Sequence, residues 1–381
     1  MYPATLSRIH IYHSYHFRSI FMSLFSFIHR DSATRLLLLV SALAALNSCK
    51  KLEVNQGEYN HEISFSPSLN CLETKANTEP LDERAGFFTY AWYLPDGKNW
   101  TDNKDEAEPY INKETVSFDT KGDRKWKSQN TYYWPHSGGL TFFSYTNISG
   151  EVYAPGELTN AKLDKENGLS IIPFPNGASW TDFDLLVTDF DSAKDIHYNL
   201  NGAPTRFEHK LTKISFFVKL NAQTTDEYKL TGLILTDIFM QGEYYRGGYD
   251  NDYWEKPQSL ARDYSMFKSG RDESSGEFSN PIEIKEDPAA LVNSNNVIPQ
   301  TLLPYTASQW SVREDPVKLK ISYTKNGVQQ SDIIIDFGTE EVEWKMGIHY
   351  KYNVIFGGVT KSDPNSSAPI VQLSTDVSSW L

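Results

Sequence analysis

Apolar residues in this chain come in short runs rich in aromatic and β-branched side chains, each closed by Gly, Pro, Asn or Asp. Ile63-Ser64-Phe65 opens the series. Residues 86–94 (GFFTYAWYL) and 141–145 (TFFSY) are aromatic runs, and in residues 114–118 Val116 and Phe118 share one face. Residues 183–187, 213–220 (KISFFVKL) and 228–238 follow. Later runs lie at 281–284, 297–303, 317–323, 332–337 and 349–356, and residues 369–381 close the chain. Runs of this length, composition and punctuation predict strands. No stretch carries a sustained helical period. The predicted fold class is therefore all-β, arranged as two tandem β-sandwich domains. Residues 199–205 (NLNGAPT) have turn chemistry near the middle and place the domain boundary near residue 203. The expected domains are 49–203 and 204–381. Residues 242–278 read as a long insertion loop of the second domain, and 369–381 as its terminal strand.

Ahead of this body the pattern changes. Arg30 and Arg35 precede an apolar run at residues 36–46 (LLLLVSALAAL), which is too short to cross a bilayer as a helix. A basic start and a short apolar stretch read as a secretory signal spanning 1–48. The run ends Leu46-Asn47-Ser48-Cys49, which resembles a bacterial lipobox, with Cys49 the lipidated first residue of the mature chain. Met22 begins a signal of ordinary length and is the expected true start. With lipid on Cys49, Cys71 has no intramolecular partner, so no disulfide framework is expected and stability rests on packed cores.

Composition sharpens this reading. Aromatics make up 14% of the 381 residues, which opposes disorder. The formal charge is −13. The leader carries four Arg and one Asp, so the mature chain is at −16. That much negative charge repels phosphates and excludes a nucleic-acid partner.

Candidate chemistry is sparse. No HExxH, GxSxG, P-loop or paired CxxC motif is present. His136, His197, His209 and His349 are scattered, without metal-ligand spacing, and read as structural hydrogen bonders. Asp182, Asp184, Asp189, Asp191 and Asp195 lie within fourteen residues, but their spacing does not fit an EF-hand loop. Solvated strand ends are the expected reading. No cofactor, metal or catalytic residue is expected. Tyr244, Tyr245, Tyr249, Tyr253 and Trp254 cluster in the expected loop, where they either pack onto their own sandwich or stack on sugar rings or a protein partner.

Several segments resemble the fimbrillin family of Bacteroides-type bacteria, the lipoprotein pilins and their fimbrillin-like relatives. Tyr132-Tyr133-Trp134-Pro135 followed by residues 140–145 (LTFFSY) is similar to a YWP signature. Residues 207–214 (FEHKLTKI), Val297-Ile298-Pro299-Gln300, and Trp344 and Gly347 with residues 350–354 resemble three further family motifs in the same order. The resemblance implies two transthyretin-like β-sandwich domains and a non-enzymatic role as a fimbrial subunit or accessory or tip pilin in cell adhesion. It implies export as an outer-membrane lipoprotein, then residence at the cell surface or in the fimbrium. It also implies assembly by strand exchange: an Arg- or Lys-specific protease cuts after the first strand, and another pilin subunit donates a strand into the groove. Ile63 and Phe65 would be that first strand, with Lys75 and Arg84 the processing candidates. Val371, Leu373, Thr375 and Val377 alternate as a donor strand would. Other pilin subunits are the expected partners, with a host glycan or protein receptor beside them, and the membrane is reached through the lipid alone. The alternative is a monomeric surface lipoprotein that binds glycan through the aromatic loop.

Overall fold

The computed structural model describes residues 61–70, 78–149, 161–165, 168–174, 183–221, 225–238, 242–246, 252–255, 262–272, 274–275, 277–286, 289–290, 300–302, 317–337, 343–357 and 371–379. The leader, Cys49 and Lys75 lie outside them. The strands in chain order begin with β1 (Ser64–Asn70), β2 (Thr78–Pro80), β3 (Gly86–Leu94), β4 (Glu108–Phe118), β5 (Trp126–Ser128) and β6 (Gly139–Ser149). Next come β7 (Ala161–Asp164), β8 (Gly168–Phe174), β9 (Phe183–Thr188), β10 (Ala203–His209), β11 (Thr212–Leu220) and β12 (Tyr228–Ile238). Short strands follow: β13 (Gly242–Arg246), β14 (Asp252–Glu255), β15 (Arg262–Lys268), β16 (Gly270–Arg271), β17 (Phe278–Ser279), β18 (Ile282–Glu283), β19 (Ala289–Ala290) and β20 (Gln300–Leu302). The last are β21 (Lys318–Lys325), β22 (Val328–Gln329), β23 (Ile333–Asp336), β24 (Ile348–Phe356) and β25 (Val371–Ser379). The α-helices among the described residues are single turns, Trp100–Asn103 and Phe190–Ala193. The protein is all-β, and each expected run contains a strand within its described part.

The N-terminal half is a sheet closed on itself. Its order is β10-β9-β6-β3-β4-β5-β1, and β1 also pairs with β10, which joins the two ends. Closure removes the open edges that a free sheet would leave. The inside holds Ile63, Phe65, Phe87, Val116, Trp126, Phe142, Leu186 and Phe207 in one buried cluster. Alternate residues of the same strands, Phe88, Tyr90, Phe143, Tyr145, Leu185 and Val187, point outward into a second cluster. A four-stranded sheet, β14-β13-β8-β7, covers that outer face. Central strands such as β3 are thus buried on both sides, which is why its sequence is a continuous aromatic run.

The C-terminal half is a two-layer sandwich. One sheet runs β19-β11-β24-β25, and the other runs β15-β12-β21 with β22 and β23 also on β21. Here one face of each strand is buried. In β11 and β24 buried and half-buried residues alternate, and the buried ones meet Leu233, Leu235, Ile321 and Trp344.

Two expectations about the middle of the chain are corrected. The strand opening at Ala203 still belongs to the N-terminal sheet, so the chain leaves that sheet after His209 rather than at 203. Residues 242–246 and 252–255, expected within a loop of the second domain, pair with each other as the hairpin strands β13 and β14, and β13 pairs with β8. The hairpin thereby extends the covering sheet of the N-terminal half. Its alternation supplies an apolar face, and the outer face of the ring needs a cover.

Candidate functional site

Strand β1 keys the ring shut. It runs parallel to β10 over five positions, from Phe65 opposite Ala203 to Leu69 opposite Phe207. Its other edge meets β5 at Ser64 and Phe65, then β2 from Ser68 to Asn70. Ile63, one residue before β1, and Phe65 within it both turn inward, where Phe65 is 4% exposed. The Phe65 ring lies edge-on to Phe87 at 5.7 Å and to Phe142 at 5.8 Å, an arrangement favoured by the aromatic quadrupole. Burying these two side chains contributes roughly 3–6 kcal/mol on transfer grounds. The approach to β1 is anchored by the YWP segment: the Ile63 N–H donates to the Tyr132 carbonyl at 2.8 Å, and Trp134 N–H donates to the His61 carbonyl at 3.0 Å. Gly202, just before β10, has φ +95°, and a Cβ there would lie 2.9 Å from the Phe65 carbonyl carbon. Only glycine lets the two strands approach this closely. A cavity of about 490 Å³ lies over the seam, lined by Phe65, Arg124, Trp126 and Leu200 among others.

The connection out of β1 ends in an accessible basic residue. Leu81 and Ala85 are buried, but the Arg84 side chain between them is 68% exposed. Its guanidinium forks onto Asp82 at 3.0 and 2.7 Å, and its own N–H donates to the same carboxylate. Those bonds hold the Asp82 carboxyl down to about 2. Arg84 sits two residues before β3, so a cut there would sever β1 and β2 from the rest of the ring without breaking a ring strand.

The terminal strand β25 is seated differently. It pairs antiparallel with β24 over nine positions at the end of its sheet. Val371, Leu373, Thr375 and Val377 stand opposite Phe356, Val354, Tyr352 and Tyr350, on the side of the sheet that faces the core. Val371 and Leu373 pack against that core, whereas Thr375 is exposed and Val377 is 60% exposed. The apolar side of β25 therefore runs out past the cover of the opposing sheet.

The expected recognition loop is rearranged by the hairpin. Tyr244 and Trp254 are buried in the outer core of the N-terminal half, 5.2 Å apart, with Phe174 against Trp254 at 5.8 Å. They are not available to a ligand. Tyr245 and Tyr253 are half-buried and stack on each other at 5.1 Å; Tyr249 lies outside the described residues. A residue with no sequence signal ties the hairpin down. Lys210, its side chain 3% exposed, donates to Glu208 at 2.7 Å and to Asp252. Its carbonyl accepts from the Trp254 indole at 2.8 Å. Tyr244 donates to Asp252 at 3.0 Å, and Arg246 lies 3.7 Å from the same carboxylate. Burial pushes the Tyr244 hydroxyl well above its ordinary pKa. Burial alone would raise Asp252 as well, but Lys210 and Arg246 outweigh it and hold that carboxyl low.

Several of the remaining candidates are engaged in local hydrogen bonds. His209 bonds Asp184 at 3.0 Å, His197 bonds the Gly138 carbonyl, and Asp195 accepts from the Trp100 N–H. Asp189 caps a helical turn, and Asp182 lies outside the described residues. Among the described residues no group of three or more His, Cys, Asp or Glu could hold a metal ion.

The comparisons with known proteins agree with this architecture. A family model described as fimbrillin-like matches residues 75–380. A crystal structure of a fimbrial protein from Bacteroides vulgatus is similar at TM-score 0.53 and 18% identity, covering 84% of this chain and all of that one. A candidate cell adhesion protein from Bacteroides uniformis is similar at TM-score 0.44 and 13% identity, over 84% of this chain and 99% of that one. No curated protein sequence matches. The family model spans most of the chain, and its range holds the ring strands from β3 onward, the covering sheet and the C-terminal sandwich, with β1 just ahead of it: this protein belongs to the fimbrillin-like family.

Proposed function

We propose that this chain is a fimbrial subunit or accessory pilin with a structural, non-catalytic role in adhesion. It assembles by protease-triggered strand exchange at the cell surface. The observation that carries the reading is the seat of β1. One strand closes the ring, fills its interior with Ile63 and Phe65, and is followed by the exposed Arg84 at the threshold of β3. Cutting at Arg84 frees β1 to leave, and the vacated groove between β10 and β5 then offers unpaired backbone and apolar pockets to a strand from another subunit. The exposed Val377 near the end of β25 supports that strand as the donor. Export as a lipoprotein through Cys49 completes the path, and loss of acyl labelling in Cys49→Ser tests that anchor.

Limited trypsin treatment of the purified mature protein tests the assembly step. Selective cleavage at Arg84 or Lys75, release of the segment carrying β1 and a ladder of oligomers are expected. Absence of a selective cut at both residues, with no ladder, defeats strand exchange. The aromatic-loop glycan reading loses its anchors, because Tyr244 and Trp254 are core residues.

A further inference from the structure

A cavity of about 920 Å³ opens on the outer face of the sheet formed by β12, β15 and β21, walled by the small hairpin β16–β17. Its floor is unusual for a strand. Gly232 stands mid-strand between Ser322 of β21 and Lys268 of β15. The register slips between Leu230 and Gly232 against β21, and between Leu233 and Ile234 against β15. A glycine within a bulged strand marks close approach of another group to the backbone. Beside it Thr231 is 4% exposed, lines the cavity, and its hydroxyl has no hydrogen-bond partner in the protein. An unsatisfied buried hydroxyl is costly and marks a place for a polar partner.

The charge of the cavity runs against that of the chain. In a protein of net charge −13, two exposed cations, Lys268 and Arg271, line it, and none of its lining residues is acidic. Neither cation makes an ion pair among the described residues. Asp332, which bonds a lining residue, accepts from the Ser322 hydroxyl at 2.6 Å and is paired with Lys320 at 3.0 Å, and Asp272, next to Arg271, accepts from the Ser274 N–H and hydroxyl. Arg271 lies over the Phe278 ring at 5.5 Å. Stacking of this kind holds the guanidinium in place while its planar fork stays free to bind an oxyanion through two bonds. Phe278 and Ile234 add apolar surface, which suits the C–H face of a sugar ring. Gly232 has ladder partners on both sides, so the floor offers no edge for a peptide strand.

We propose that this cavity binds an anionic oligosaccharide. Lys268 and Arg271 hold its carboxylate or sulfate, Phe278 receives a ring face, and the Thr231–Ser322 floor meets its hydroxyls. The volume accommodates a ligand of drug-like size, which corresponds to two or three sugar units. The proposal does not depend on strand exchange, so it is tested on the intact, uncleaved chain by calorimetric titration. The probes are sialyllactose and digalacturonate (carboxylated), a heparin-derived disaccharide (sulfated), neutral lactose and inorganic sulfate. At least one anionic sugar is expected to bind at least about tenfold more tightly than lactose or inorganic sulfate. Which class binds tells carboxylate from sulfate recognition. Arg271→Gln and Lys268→Gln lie on the surface and should each weaken binding several-fold with unchanged circular dichroism, and Phe278→Ala should weaken it for all sugars. No binding of any anionic sugar at about 10 mM, equal binding of lactose, or affinity unchanged in both charge variants overturns the proposal.

Discussion

Strands β1 and β25 obey the same rule and meet opposite fates. Both alternate apolar and polar residues, yet Phe65 is 4% exposed and Val377 is 60% exposed. The first strand lies inside a closed ring, with β10 on one edge and β5 and β2 on the other, and its apolar side meets an interior lined by Phe87, Phe142, Trp126 and Phe207. Among the described residues the last strand pairs with β24 alone, and its apolar side outruns the sheet that should cover it. Alternation specifies that a strand has an apolar side. It does not specify that anything lies on top. Under the proposed strand exchange, that asymmetry is what exchange needs: a key buried in one half and a partly bare key at the end of the other.

The contrast is sharpest in core mutations. Phe65→Ala removes an aromatic side chain from a closed interior and should cost about 3–5 kcal/mol, read by denaturant unfolding of the N-terminal half. Val377→Ala should stay within about 0.5 kcal/mol. Equal costs would mean that β25 is held in its own half as firmly as β1 is in the ring.

A comparable effect is expected where the two halves are stitched. Lys210→Met removes the nearer cation from the buried Asp252 carboxylate and leaves only Arg246 at 3.7 Å, so a loss toward the lower end of the roughly 3–5 kcal/mol of a broken buried pair is expected. Hydrogen exchange should show the β13–β14 hairpin loosening while β24 stays protected. Unchanged protection of the hairpin would separate the Lys210 cluster from its docking.

Acid should divide the halves by a smaller margin. Burial pulls the His349 imidazole down to about 4, and Lys213 and Lys351 act in the same direction. The folded C-terminal half therefore resists protonation that the unfolded chain accepts near 6.5. This contribution is complete above about pH 6.5 and is lost as pH falls toward 4. Asp252, whose carboxyl is held low in the fold, contributes stability that is present above the ordinary carboxylate range and lost only as pH falls below about 4. The C-terminal half should weaken first on acidification, and His349→Gln should flatten its profile between pH 6.5 and 4. A profile unchanged by that substitution removes His349 as the cause.

Particular residues show what could be read along the chain. The runs at 86–94, 228–238 and 349–356 were legible as strands because backbone pleat and side-chain composition are local properties. Ile63, Phe65 and Arg84 were legible as a strand and a basic site, because alternation and residue type are also local. The cluster at 244–254 was legible only as aromatic. Its own alternation divides Tyr244 and Trp254 from Tyr245 and Tyr253, but which pair is buried depends on β8 and the ring beneath, some seventy residues away in the chain. Lys210 gave no signal at all, since a buried lysine is identified by the carboxylates that fold around it. The cavity around Gly232 was equally silent: its lysine, arginine and phenylalanine come from separate strands.

The order of apolar and polar residues alone therefore determined an all-β chain, the positions of its main strands and the apolar side of each. Tertiary structure alone decided that the N-terminal sheet closes through β1, that a hairpin from the later half covers it, and that β25 is left partly bare. The physical reason is that alternation is set by the pleat of a single strand, whereas burial is set by surfaces that distant parts of the chain bring together.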